Sequence, residues 1–171
     1  LIAIPFFKIS RSNVKQIFES SLQQTKNPFI ALVGALGMVN LMLVGGEHSM
    51  VKIIGRTFAE ISGSNWTIFS SFLGAIGSFF SGSNTVSNLT FGSVQLSTAE
   101  TTGISVALVL ALQSVGGAMG NMVCINNIVA VSSVLNISNQ EGTIIKKTII
   151  PMIIYGIIAA LGALFLVPLF Y

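Results

Sequence analysis

The chain has 171 residues, of which 52% are hydrophobic and only 8% are charged, whereas about 25% of the residues of a soluble domain are charged. Residues 61–99 and residues 101–140 carry no formal charge at all. Uncharged runs longer than about 20 residues suit the hydrocarbon core of a bilayer, which is about 30 Å thick. The composition excludes an ordinary water-soluble domain and predicts an all-α membrane protein.

The net charge of +3 does not indicate a nucleic-acid partner, because the basic residues stand in short clusters beside apolar segments. Such clusters follow the positive-inside rule, by which Lys and Arg collect in cytoplasmic loops. Cys124 and His48 are the single residues of their types and have no metal-site spacing, so no cofactor is expected. The chain begins at Leu1, and its length suits about four or five membrane elements. We expect residues 1–171 to form a single membrane-embedded domain, the C-terminal part of a longer transporter.

The first predicted segments are a cytoplasmic loop over residues 8–27 and a membrane span over residues 28–46. The loop holds four basic residues against one acid, and its apolar residues predict a short interfacial helix within it. Residues 28–46 carry no charge and would be about 28 Å long as a helix, which suits one crossing.

Residues 47–65 are predicted to lie in the membrane interface. An apolar stripe that includes Ile54 and Phe58 stands opposite Lys52 and Arg56, a pattern typical of a helix that lies in the interface. The next residue is Trp66, which we expect in the aromatic belt of the membrane surface.

Three ionisable residues of this region are candidates for proton coupling: Glu47, His48 and Glu60. An ionisable group at the membrane edge can titrate together with a driving ion. The alternative is that these side chains only face water at the interface.

Residues 66–96 are predicted to form a re-entrant helical hairpin. The apolar arm 66–80 has 15 residues, which is short for a crossing, and it leads into the polar string SGSNTVSN at 81–88. Irregular backbone at membrane depth is tolerated only against protein or a wet cavity. A single span with a polar kink is the alternative.

Residues 103–135 are predicted to form a span that is broken near the middle of the membrane. As one helix they would be about 50 Å long, and the glycines and Asn121 of the sequence SVGGAMGN offer a helix break. Residues 136–147, with two lysines, are predicted to be a cytoplasmic loop, and residues 148–170 a final span.

Two acids are predicted to cap helices rather than to carry chemistry. Glu100 completes the pattern Ser97-x-x-Glu100, and Glu141 completes Ser138-x-x-Glu141. In such capping boxes the two side chains bond backbone N–H groups at a helix start. Helices are therefore expected to begin near both motifs.

The distribution of basic residues favours one re-entrant block. If residues 8–27 are cytoplasmic and one uncharged block re-enters, six basic residues lie inside and two outside; if both blocks cross, the split is four and four. The count does not say which block re-enters, but the polar tip and short arms favour 66–96.

Neutral hydrogen-bonding residues gather at the two predicted breaks, and no nucleophile with a base is apparent, so an enzyme is not expected. Helix starts near Ser83 or Asn84 and near Asn121 would aim N–H groups and positive dipole ends at the membrane middle. That arrangement suits a small carboxylate. The same residue types also join helices in bilayers, which is the structural alternative. The residues predicted to contact the substrate are Ser83, Asn84, Thr85, Asn88, Gly120, Asn121 and Asn126.

Two long runs resemble the L-lactate permease family. FLGAIGSFFSGSNTVSNLTFGSVQ, at 72–95, is similar to a signature of that family, and LALQSVGGAMGNMVCINNIVAVSSVLNISNQEGTIIKKTIIP, at 110–151, resembles its broken helix and basic loop. The resemblance implies a multi-pass secondary transporter that moves lactate, and often glycolate, with protons through the cytoplasmic membrane. It also implies that the N-terminal two-thirds of the transporter lies outside this chain and is its partner.

The string Ser83-Asn84-Thr85 is also similar to a hairpin tip of the wider ion-transporter superfamily. In that superfamily paired hairpins hold a carboxylate and sometimes sodium. Two other functions therefore stay open. One is a sodium-coupled carboxylate carrier, favoured by the neutral tip, and the other is a non-transporting membrane subunit whose Gly and Asn motifs only pack helices.

Overall fold

The structure, a computed structural model, describes residues 10–135 and 139–165. Short 3-10 turns at Gly46–His48 and Gly63–Asn65 flank the second helix. The regular structure of the described residues is otherwise α-helical, as the predicted all-α class requires. Its helices in chain order are α1 (Arg11–Leu43), α2 (Met50–Ser62), α3 (Trp66–Ser81), α4 (Asn84–Thr102), α5 (Val106–Gly120), α6 (Ile125–Val134) and α7 (Glu141–Phe165).

The chain divides into two units, residues 1–34 and residues 35–171. In the first unit residues 11–27 are helical, a longer helix than the short interfacial one expected within this segment. A polar segment can be helical when its side chains face outward. Lys15 and Glu19 illustrate this, because their exposed side chains pair one turn apart with Nζ and Oε1 separated by 3.8 Å.

The second unit is built on close contact between α3 and α5. A methyl group added at Gly116 would overlap the backbone carbonyl of Ser71, and one added at Gly74 would overlap the carbonyl of Gln113. Small residues let two helix backbones approach in this way. Gly116 therefore lies inside a regular helix and packs it on α3, and the interruption expected within 114–121 comes at the end of that motif, where α5 ends at Gly120.

The helices α3 and α4 form a hairpin whose second arm is longer than predicted, since α4 continues to Thr102. Ser97 and Glu100 consequently lie inside α4, and the prediction of a helix start at this point is wrong. Glu100 instead accepts a charge-assisted hydrogen bond from Lys52 Nζ at 2.9 Å, which joins α4 to α2.

Trp66 is buried rather than exposed in an aromatic belt. Only 5% of the residue is accessible, and its ring stacks on Phe58 with a centroid separation of 4.9 Å. An indole can be buried when its N–H finds an acceptor, and the side chain of Gln95 provides one inside the protein.

The helix α7 begins at Glu141, so residues 141–147 are helical and not part of a loop. Residues 136–138 of the predicted loop, including Ser138 of the second capping motif, lie outside the described residues, as do residues 166–170 of the predicted last span. Two described stretches, Val106–Ser132 and Glu141–Phe165, are long and apolar enough to cross a membrane. The first of them includes the turn between α5 and α6.

A methyl group at the contact between α3 and α5 should destabilise the protein. We expect Gly116→Ala to lower the free energy of unfolding by about 1–3 kcal/mol, because the overlap is with backbone and no side-chain rotation relieves it. The matched control is Gly92→Ala in α4, where nothing lies within 4 Å of the added methyl group. Thermal unfolding of the full-length protein in detergent checks this, and an equal midpoint for the two variants contradicts it.

Candidate functional site

The turn between α3 and α4 places a helix start at the tip of the hairpin. Gly82 has a φ of 70°, in the left-handed region, and its N–H donates to the carbonyl of Ser78 at 2.7 Å. The Oγ of Ser83 accepts from the N–H of Val86 at 3.3 Å and so caps α4. The predicted start of this helix at Ser83 or Asn84 is confirmed.

The hairpin tip lies against the first turn of α6. A methyl group added at Gly82 would lie 3.2 Å from Cys124 Sγ, 3.6 Å from Asn127 Oδ1 and 3.8 Å from Asn126 Cβ. The amino ends of α4 and α6 are therefore neighbours. In the first turn of a helix the N–H groups have no intrahelical acceptor, and this end carries the positive pole of the helix dipole.

Asn84 lies over the glycine face of α5. A side chain at Gly117 would overlap Asn84 Oδ1, so the glycine makes the space that the asparagine occupies. Within the part of the chain that the structure describes, this oxygen is buried and has no hydrogen-bond partner. It is an unused acceptor beside the hairpin tip.

Asn121 has a different place from the one predicted. It closes the carboxyl end of α5, where its Nδ2 donates to the carbonyl of Gly117 at 3.1 Å, and its Oδ1 accepts from Asn127 Nδ2 at 3.1 Å. The next helix begins only at Ile125, so the predicted N-cap role of Asn121 is wrong. The break between the two helices is a turn that follows Gly120.

The remaining predicted site residues differ in exposure. Thr85 and Asn126 are exposed, and Asn88 is half-buried. Gly120 is buried, and a methyl group there would overlap the carbonyl of Ala75. Gly120 therefore packs α5 on α3, while Thr85 and Asn126 belong to the facing first turns of α4 and α6.

A buried line of hydrogen bonds begins at Trp66 and crosses the hairpin. Trp66 Nε1 donates to Gln95 Oε1 at 2.8 Å. Gln95 Nε2 donates both to the carbonyl of Ser70 and to Gln113 Oε1, each at 2.8 Å. Gln95 is 0% accessible and Gln113 is 1% accessible, so their amides depend on these partners.

The line continues from Gln113 to a predicted site residue. Gln113 Nε2 lies 3.1 Å from Ser87 Oγ and 3.4 Å from Asn88 Oδ1. Asn88 Nδ2 in turn lies 3.5 Å from Ser114 Oγ. Hydrogen bonds thus connect α3, α4 and α5 up to the half-buried pair Asn88 and Ser114.

Sequence reasoning did not identify Gln95 or Trp66 as part of a polar network. The spacing could have indicated a shared polar face, because Gln95 follows Asn88 by seven residues and so lies two turns along the same face of the helix. The partner of Gln95 on α3 could not be found from spacing along one helix.

The first predicted proton carrier, Glu47, lies in a charged cluster away from the hairpin tip. Glu47 is paired with Arg56, with Oε2 and Nη2 separated by 2.6 Å. Glu47 also lines a cavity of about 320 Å³ together with Lys52 and Glu100. Glu100 is 16 residues from Asn84, which is about 24 Å along α4. The charged cluster therefore lies at the opposite end of that helix.

The other two candidates are exposed. His48 lies in the 3-10 turn Gly46–His48 and Glu60 lies on α2. Across residues 10–135 and 139–165, no group of three or more His, Cys, Asp and Glu side chains could hold a metal ion.

Comparison with known proteins gives the family of the chain. A model of the L-lactate permease family matches residues 1–170. The chain is 96% identical over 171 residues to the Haemophilus influenzae protein named "Putative L-lactate permease", and the match covers 100% of the chain and 32% of that protein.

More distant relatives have related names. The chain is 33% identical over 151 residues to glycolate permease GlcA of Escherichia coli K12, covering 86% of the chain and 26% of that protein. It is 31% identical over 133 residues to the L-lactate permease of Bacillus subtilis, covering 78% of the chain and 23% of that protein. The chain thus spans about a third or less of the length of these relatives.

No solved structure matches the chain. The family model, in contrast, covers all but the last residue. The chain therefore belongs to the L-lactate permease family, a family of membrane transporters and not of enzymes.

Proposed function

We propose that this chain holds the substrate carboxylate in a transporter that moves lactate, and also glycolate, across the cytoplasmic membrane together with protons. Membership of the L-lactate permease family supports lactate as a substrate. The relative named glycolate permease supports the smaller 2-hydroxy acid as a second one. The remainder of the transporter would supply the other side of the transport path.

The observation that carries this proposal is the contact between the hairpin tip and the first turn of α6. Gly82 of the tip is close to both Cys124 and Asn126, so the amino ends of α4 and α6 can reach one anion. Each helix end contributes about 0.3–1 kcal/mol to holding an anion, and up to about 2 kcal/mol in a partly buried place. A monocarboxylate has two oxygens, so each helix end can bind one of them.

Side chains of the same two turns would complete the carboxylate site. Ser83 and Thr85 bring hydroxyl groups from the start of α4, and Asn84 brings an amide beside them. Asn126 brings a second amide from the facing turn of α6. These groups donate hydrogen bonds without adding charge. Neutral donors bind an anion more weakly than a charged side chain would, so the anion can be released on the other side of the membrane.

Three further residues would extend the site. Asn88 lies one turn beyond Asn84 on the same face of α4, where it can meet the rest of the solute. Asn121 holds the turn before α6 through its bond to Asn127. Gly120 contributes by lacking a side chain, because α5 could not otherwise end against α3.

We place the tip near the middle of the membrane. The helix α3 has 16 residues and is about 24 Å long, shorter than the roughly 30 Å hydrocarbon core. The hairpin would therefore be re-entrant, and the α5–α6 pair would be a crossing element with its turn at the same depth. Residues 8–27 and 136–147 would be cytoplasmic, in agreement with the positive-inside rule. Alternating access would follow from movement of this unit against the rest of the protein.

Proton coupling would use Glu47, His48 or Glu60, which are exposed to solvent. Glu47 would not touch the carboxylate, because it borders one cavity with Glu100, which lies about 24 Å along α4 from the tip. It would act on the position of the hairpin, since Glu47 and Glu100 border the same cavity and Glu100 is part of α4.

A sodium-coupled carboxylate carrier is the second candidate. The observation that favours it is Asn84 Oδ1, a buried oxygen without a partner in the described part of the chain. Neutral oxygen ligands suit a hard cation. Uptake measured with sodium replaced by choline at a fixed pH gradient separates the two candidates.

Removal of an amide at the site should weaken substrate binding. We expect Asn84→Ala to raise the KM for labelled lactate about tenfold or more, because a hydrogen bond to a charged group contributes about 1.5–3 kcal/mol. Asn121→Ala should raise the KM as well, because the turn before α6 loses the bond to Asn127 that holds it. The control is Asn40→Ala on α1, whose amide is exposed and bonds the carbonyl of Leu36 in its own helix. Uptake by the full-length protein, at matched membrane abundance, gives the three KM values.

An unchanged KM in both site variants would remove these two asparagines from the substrate site. A wild-type protein that shows neither lactate flux nor a substrate-dependent thermal shift after reconstitution would instead favour a non-transporting subunit.

Proton coupling should be separable from substrate binding. We expect Glu47→Gln, His48→Gln or Glu60→Gln to abolish uphill lactate accumulation driven by a pH gradient while lactate–lactate exchange continues. In lactate–lactate exchange the carrier crosses the membrane loaded in both directions, and no net proton movement occurs. A substitution at a residue that is needed only for proton coupling therefore leaves the exchange rate unchanged. Both rates can be measured in the same proteoliposomes, with Glu19→Gln as an exposed control. If all three variants accumulate lactate normally, these residues do not couple protons.

A further inference from the structure

The hydrogen-bond line from Trp66 to Asn88 has a fixed direction. An indole N–H can only donate, so the atom of Gln95 that faces it at 2.8 Å must be the oxygen. The nitrogen of Gln95 then faces two oxygens, the carbonyl of Ser70 and Gln113 Oε1. A reversed Gln95 amide would place donor against donor at Trp66 and acceptor against acceptor at both other contacts.

The direction passes on through Gln113. Its oxygen accepts from Gln95, so its nitrogen faces α4. Ser87 Oγ donates to the carbonyl of Gly74 at 2.7 Å, which leaves a lone pair for Gln113 Nε2 at 3.1 Å. Two further acceptors lie slightly farther from this nitrogen, the carbonyl of Ser87 at 3.3 Å and the amide oxygen of Asn88 at 3.4 Å. Gln95 thus orients Gln113, and the donor nitrogen of Gln113 favours an oxygen rather than a nitrogen at the facing end of the Asn88 amide.

The consequence for Asn88 is that its oxygen is turned inward and its nitrogen faces the other way. Asn88 Nδ2 lies 3.5 Å from Ser114 Oγ, which is long for a strong hydrogen bond. Asn88 and Ser114 are both half-buried, unlike Gln95 and Gln113. An amide N–H₂ and a hydroxyl group that bond each other weakly can both bond an oxygen of a ligand.

We propose that Gln95 and Gln113 are positioning residues that hold the Asn88 amide with its N–H groups toward the substrate, and that Asn88 and Ser114 recognise the 2-hydroxyl group. The inference rests on the proposed function. It assigns different parts of the substrate to different groups. The helix ends at the hairpin tip hold the carboxylate, and the amides of Gln95, Gln113 and Asn88 select 2-hydroxy acids over acids without the hydroxyl group.

The test compares lactate with propionate, which has the carboxylate but no hydroxyl group. Selectivity is the ratio of the propionate and lactate concentrations that halve the uptake of labelled lactate by the full-length protein. We expect Asn88→Ala and Gln113→Leu each to lower selectivity about three- to tenfold, the effect of one lost hydrogen bond. The double variant should be no lower than Asn88→Ala, since Gln113 acts through Asn88. Gln140→Leu, at an exposed position before α7, should leave selectivity unchanged.

Two results overturn the inference while the proposed function stands. One is a double variant whose loss equals the product of the two single losses, because Gln113 would then act independently of Asn88. The other is an equal weakening of lactate and propionate in Gln113→Leu, because that would be general damage to packing.

A milder variant covers the case in which Gln113→Leu does not reach the membrane. Trp66→Phe keeps a ring to stack on Phe58 and removes the N–H group that orients Gln95. We expect it to lower selectivity about twofold or more in the wild-type background and not in Asn88→Ala. Unchanged selectivity in Trp66→Phe overturns the inference. Absence of lactate uptake in the wild type overturns the proposed function and the inference together.

Discussion

The close contact between the backbones of α3 and α5 is the constraint on which the candidate site depends. Ser71 and Gly116 approach so closely that no side chain fits between them, and Gly74 meets the backbone of α5 one turn away. This contact leaves α4 to pack on both helices with small and polar residues. As a result the hairpin tip at Gly82 reaches the first turn of α6, and two helix starts become neighbours.

The same packing buries two amide side chains that are paired inside the protein. A buried amide without partners costs about 1–3 kcal/mol, and Gln95 and Gln113 avoid this cost by bonding each other and the neighbouring helices. Polar residues in a transporter core are therefore not all substrate ligands. Those at the centre of the contact hold the helices in one arrangement, whereas those at its edge, such as Asn88, are half-buried.

The charged groups occupy a different region from the neutral ones. Lys52 joins α2 to α4 through Glu100, and Arg56 joins α2 to the preceding turn through Glu47. Glu100 lies about 24 Å along α4 from the hairpin tip. From the described residues of this chain, a solute carboxylate at the tip would meet neutral donors. Helix ends and amides bind an anion more weakly than a buried Lys or Arg would, and weak binding suits a carrier that must also release its substrate.

The sequence by itself determined the all-α membrane class, the hairpin with its helix start at Ser83, and the family, since these follow from local charge, periodicity and motif strings. It did not determine that Trp66 is buried, that Glu100 pairs with Lys52, or that Gly116 and Gly117 pack α5 against its neighbours. Each of these depends on a residue from another helix, and spacing along one segment carries no information about that partner. Only the tertiary structure decided that Gly82 meets Asn126 and that Trp66 orients the amides leading to Asn88, because distance in space, and not position in the chain, sets which donor finds which acceptor.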